Sequence, residues 1–253
     1  MNESTPLPPP IPPFTSGSGV RLPGDDPSDR EPIPHVFAAI DAMLRHPRRV
    51  MYQLRQPGAG RLITSLVLAS VLCSLIYGLV AGTFSGGSQL WVAPVKIALG
   101  LMISACICLP SLYIFTCLSG SQARLVEVCG LLAGLLLLMT ILLIGFAPVA
   151  WIFSQSTESF AWMGTLHLAF WFIATIFGLR FLETGFSYSH ARSRAGFYTW
   201  VVIFLLVAVQ MTTALRPIIG TSKSFLPQEK KFFMSYWGDC LKGSDAENAK
   251  PRS

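Results

Sequence analysis

Charge is what this chain has least of. Only 13% of its 253 residues are Asp, Glu, Lys or Arg, about half the roughly 25% of a soluble domain. The shortage is uneven. No such residue occurs from Leu62 to Val95, Ile97 to Ala123, Val128 to Thr157, Ser159 to Leu179 or Ala195 to Leu215. Each run reaches the roughly 20 apolar residues that cross a bilayer. A helix on a soluble core keeps one wet face, and these segments have none. The absence excludes a soluble globular domain and predicts an all-α polytopic transmembrane bundle of about five spans.

Reactive and metal-binding signatures are missing too. The six cysteines are Cys73, Cys106, Cys108, Cys117, Cys129 and Cys240. Five fall in apolar runs, where cysteine behaves as a small hydrophobe. The C-x-C at 106 and 108 points to different sides of a helix, and no C-x-x-C or paired His accompanies it. Neither a metal site nor a disulfide framework is expected. H-E-x-x-H, G-x-S-x-G and the P-loop are absent, as are carboxylate pairs at one membrane depth. The expectation is no catalytic residue, no cofactor and no enzyme. Net charge is +6, but the positive residues cluster beside helix ends. Anionic headgroups and topology account for them there. With no recognition motif, nucleic acid is not an expected partner.

What is present divides the chain into five parts. Residues 1–34 are rich in Pro, Ser, Gly and Asp and read as a disordered cytoplasmic tail; "PLPPPIPP" within it favours polyproline II. The N-terminus has neither the basic start nor the cleavage site of a signal peptide, so the first spanning helix is expected to direct insertion. Residues 35–60 suit amphipathic helices at the membrane interface, or a cap over the bundle mouth. Phe37, Ile40, Met43 and Leu44 share one face, and Pro47 interrupts the pattern. Residues 61–218 hold the spans, at about 62–83, 91–117, 125–151, 161–183 and 198–216. Residues 219–243 carry Phe233, Trp237 and Leu241 every fourth position among lysines, the pattern of an interfacial helix. Residues 244–253 form a second disordered tail.

Lys and Arg in the loops set the orientation. Arg45, Arg48, Arg49, Arg55 and Arg61 precede the first span; Arg124, Arg192 and Arg194 lie in the second and fourth loops. The bias predicts a cytoplasmic N-terminus, five crossings and an outer C-terminus. The basic residues after the last span run against it.

Four ionisable residues within or near the spans are candidate functional groups: Lys96, Glu127, Arg180 and His167. Lys96 lies about five residues below Trp91, near enough for its stem to reach the headgroups; alternatively it faces the bundle interior, where such groups mark ligand paths. Glu158 and His167 are its outer-half partners. Glu127 and Arg180 fall at one depth on adjacent helices, and an ion pair between them is expected. His167 reads as a hydrogen-bonding group of the bundle. Gly78 with Gly82, and Gly130 with Gly134, form G-x-x-x-G steps that let helices approach closely, within the chain or between copies. Pro110 and Pro148 should kink the second and third spans.

The opening "RHPRRVMYQL", five apolar spans, short loops and a proline in the second span resemble the bacterial branch of the Yip1 domain family, over about residues 43–220. "FSGGSQLWVAPVK", "CLPSLYIFTCLSG" and "GFAPVAWIFSQST" are similar to a narrower bacterial group. The resemblance implies an all-helical integral membrane domain acting through partners or membrane shape, and no functional residue is taken from it. The expected role is a scaffold or assembly factor of a bacterial cytoplasmic membrane. Its partners would be the lipid bilayer, membrane or cytoplasmic proteins, and other copies of the chain. A small-solute transporter or channel component is the alternative.

Overall fold

The computed structural model describes residues 23–85, 89–121, 123–156, 160–188 and 195–214. Their regular structure is wholly helical: α1 (Val36–Arg45), α2 (Pro47–Leu54), α3 (Gly60–Ser85), α4 (Gln89–Leu118), α5 (Leu125–Ser156), α6 (Phe160–Ser187) and α7 (Ala195–Ala214), after a 3-10 turn at Pro27–Arg30. The expected helix at 219–243, the tail at 244–253, Cys240, Glu158 and the basic loop at 190–194 lie outside the described residues.

Helices α3 to α6 are long and apolar enough to cross a membrane. The apolar part of α7, Ala195–Met211, is about 25 Å long at 1.5 Å per residue. That falls short of a hydrocarbon core of roughly 30 Å. The described residues therefore contain four candidate spans, one fewer than the charge-free runs suggest. Helix α5 also continues past its expected end at 151, through "SQS". Ser154 and Ser156 donate back to the carbonyls of Trp151 (2.6 Å) and Ile152 (3.2 Å), so these polar side chains bond to their own helix rather than opening a loop.

The long helices pack in the order α6, α5, α3, α4, α7. Helix α5 is the most enclosed, with Val128, Leu135, Leu137, Met139 and Ala150 fully buried. Lipid tails are as apolar as leucine, so close packing and hydrogen bonds must hold such a bundle together. Small residues make the closest approaches. A Cβ on Gly78 of α3 would collide with the Pro94 backbone of α4. Between α5 and α6, Leu131 fills the space at Gly185, Phe181 that at Gly134, and Met139 that at Gly178. Phe146 stacks on Phe170 in the same seam, 4.7 Å between centroids. Helix α7 turns Trp200 and Phe204, both fully buried, onto α4.

In the N-terminal third, the cap alternative for residues 35–60 is the one observed, and the extent of the tail changes. Helices α1 and α2 do not spend their whole apolar face on the membrane surface. Ala39, Met43, Val50, Met51 and Leu54 are buried. Met43 reaches the space above Gly134, and Leu54 that above Gly130, so the pair is a cap clasped to α5. The expected shared face splits accordingly: Met43 turns inward, while Phe37 and Leu44 face outward. The disordered reading also ends too late, because residues 23–34 are held down. Asp29 is buried and accepts from the Gly24 N–H at 3.0 Å. Arg49 of α2 donates to the carbonyls of Glu31 (3.0 Å) and Pro32 (2.9 Å) and pairs with the Glu31 carboxylate at 3.4 Å. Gln53 bonds the Ile33 N–H and the Glu31 carbonyl. Composition alone gave no sign of these long-range partners.

The two ends of the bundle differ in chemistry. Trp91, Trp151 and Trp162 are exposed near one end, as in an aromatic belt. Arg45, Arg48, Arg55, Arg61, Arg124 and Arg180 are exposed at the other. A 30 Å layer takes roughly 20 helical residues. Counted from Trp151 along α5, it ends near Leu131, between the two glycines that α1 and α2 clasp. A layer so placed would put the cap level with one of its interfaces.

Candidate functional site

Hydrocarbon cannot satisfy the polar groups buried in the tryptophan-side half. Tyr77 on α3 is almost fully buried, and a phenol in that position needs a partner. Its hydroxyl lies 2.6 Å from His167 Nδ1 on α6, with the rings edge to face at 5.7 Å. This bond links two helices that lie on either side of α5. The other ring nitrogen, His167 Nε2, is buried with no hydrogen-bond partner. If the tyrosine donates, Nε2 carries the proton and needs an acceptor; in the opposite tautomer it needs a donor.

Tyr77 was not among the residues singled out from the sequence, although a signal for it exists. His167 is the one histidine of the described long helices, and a tyrosine hydroxyl about equally far from the same rim is its natural complement. Tyr77 lies eight residues from the end of α3, and His167 seven from the start of α6, about 10–12 Å along each helix.

Lys96 sits at the same depth, seven residues into α4, and its exposure is 0%. Its azimuth differs from that of the neighbouring seam. Pro94 meets α3 at Gly78, and Lys96 follows two residues later, about 200° around the helix at 3.6 residues per turn. Equal depth therefore does not bring it to the face where α3 and α4 meet.

At the arginine-rich end, Glu127 is half-buried and Arg180 exposed. The expected ion pair between them is not formed. The reason lies in the seam of α6. Phe181, Leu182 and Gly185 face inward, and Arg180 stands two residues from Leu182, on the opposite side of the helix. Glu183 instead accepts from the Tyr198 hydroxyl of α7 at 3.5 Å.

The packing residues have distinct surroundings. Gly78 meets backbone, whereas Gly130 and Gly134 accommodate side chains from the cap as well as from α6. Gly82 is buried near the end of α3. Pro110 and Pro148 both lie within continuous helices. Cys106 is exposed and Cys108 buried, so the C-x-C pair does divide between two sides of α4. Among the described residues no group of three His, Cys, Asp or Glu could hold a metal ion.

Buried hydroxyls form a second polar layer near mid-helix. Ser104, Thr140 and Thr175 donate to carbonyls one turn back, at 2.7, 3.0 and 2.8 Å. The α5–α6 register that pairs Gly134 with Phe181 puts Thr140 level with Thr175. These three satisfy themselves within their own helices, whereas Ser70 Oγ on α3 is buried with no hydrogen-bond partner. No family model, curated protein or solved structure matches the chain.

Proposed function

We propose that this protein is a non-enzymatic, multi-pass scaffold or assembly factor of the Yip1-like type in a bacterial cytoplasmic membrane. In this reading α7 belongs to a fifth crossing, since the charge-free run continues to Leu215. The N-terminus and the α1–α2 cap are cytoplasmic, because exposed arginines concentrate at their end of the bundle; the C-terminus is outside.

The observation that carries the scaffold reading is the clasp. Two short helices are anchored in glycine notches of the most buried span. Through Arg49 and Gln53 they hold the chain that precedes them. A fixed platform of this kind presents the proline-rich residues 1–22 from a defined point on the membrane, as partner capture requires.

The alternative, a small-solute transporter or channel component, draws on one specific observation: the buried, unsatisfied Nε2 beside Tyr77. Two variants separate the readings. Deleting residues 1–22 should abolish recovery of specific partners in mild detergent while leaving the bundle monodisperse. If His167→Ala instead abolishes a solute flux in reconstituted vesicles, with insertion unchanged, the scaffold reading fails and the transporter stands.

A further inference from the structure

The clasp uses only one side of the cap. On its other side Phe37 is 79% exposed and Leu44 54%. They lie seven residues apart and so share a face of α1. Arg45 on α1 is exposed, as are Arg48 at the start of α2 and Arg61 at the start of α3, the two helices that α1 contacts. Asp41 is the acidic residue of this face; it touches Arg45 Nε at 3.0 Å in an exposed pair. Such a pair holds little energy and leaves the other guanidinium N–H groups available.

Position narrows what this face can meet. The notches that hold the cap, Gly130 and Gly134, bracket the point where a 30 Å layer measured from Trp151 ends. An outward face at that level meets phospholipid at the boundary between acyl chains and headgroups. Its side chains match that boundary: two large apolar groups for the chains and a set of guanidiniums for phosphates.

We infer that the outer face of α1, with Arg48 and Arg61 beside it, is a binding site for anionic phospholipid headgroups. Phe37 and Leu44 enter between the lipids, and Arg45, Arg48 and Arg61 take the phosphates. The site does not depend on the scaffold reading, since a transporter could carry it equally well.

The test uses the full chain reconstituted in phosphatidylcholine vesicles, with or without phosphatidylglycerol as a minor component. Spin-labelled analogues of the two lipids report which one is enriched at the protein. An environment-sensitive fluorophore on Phe37→Cys, in a background without other cysteines, reports insertion. Phosphatidylglycerol should be enriched, and high salt should weaken the enrichment. It should fall by up to about fivefold for each arginine replaced in Arg45→Gln, Arg48→Gln and Arg61→Gln combined. The fluorophore should shift to an apolar environment when the anionic lipid is present. Should the triple variant insert poorly, Arg48→Gln alone must still lower the enrichment. Equal enrichment of both lipids overturns the inference, as does a preference that survives the arginine changes. So does a fluorophore that stays in water until a second protein is added.

Discussion

The Trp200 indole N–H donates to the Cys108 carbonyl oxygen at 3.0 Å, tying α7 to the turn of α4 just before Pro110. Proline gives no N–H to the carbonyl four residues back, and its ring loosens the turn before it. The Cys108 carbonyl in that turn also accepts from Ser111 Oγ at 2.8 Å. A fully buried tryptophan thus serves α7 twice, as packing volume and as a donor. Replacing it by phenylalanine keeps much of the volume and loses the bond. Trp200→Phe should destabilise the bundle by about 0.5–2 kcal/mol, read from unfolding in a denaturing detergent. A variant as stable as the parent would show that the bond adds nothing beyond burial.

Gly78 and Gly145 should respond in opposite ways to alanine. At Gly78 the new methyl meets the Pro94 backbone, which cannot rotate aside. The helices must separate, at a cost of about 1–3 kcal/mol. At Gly145 nothing lies within reach, and alanine gains up to about 1 kcal/mol of helix propensity. Detergent unfolding of the two single variants provides the comparison.

The Tyr77–His167 bond should appear as coupling between the two sites. Tyr77→Phe strands His167 Nδ1, and His167→Leu strands the phenol. The double variant removes both needs, so its destabilisation should be smaller than the sum of the singles. A coupling of about 0.6–1.7 kcal/mol is expected for a bond in this setting. Strict additivity in the cycle would mean that the pair is not bonded in the membrane.

Cysteine accessibility tests the layer boundaries directly. Cys117 is exposed on α4, beyond the point where roughly 20 residues from Trp91 exhaust the hydrocarbon. Cys108 is buried under α7. In chains retaining a single cysteine, a maleimide should label Cys117 rapidly and Cys108 only after denaturation. Equal rates would place the membrane, or α7, elsewhere.

The long helices were legible because hydrocarbon removes the need for a wet face, leaving apolar runs from Leu62 to Leu179 broken only at Lys96, Arg124, Glu127 and Glu158. Azimuth was harder to read. Counting along the helices puts Glu127 and Arg180 at one depth, but the side each faces depends on which neighbour claims Phe181 and Leu182. The cap raised a similar difficulty. Met43 and Leu44 are adjacent in sequence and equally apolar, yet one fills a glycine notch while the other faces outward. Only the position of α5 separates them. Tyr77 and Trp200 were hidden by being aromatic within apolar runs, where their polar atoms leave no mark on hydropathy.

The order in which the helices touch has a consequence for synthesis. Helix α7 is made last among them, yet it covers a flank of α4, which emerged long before. Until then that flank, with the Cys108 carbonyl in it, faces lipid or a chaperone. A ribosome halted ahead of Ala195 would leave a bundle with one side unsealed, and its closure must await the synthesis of α7.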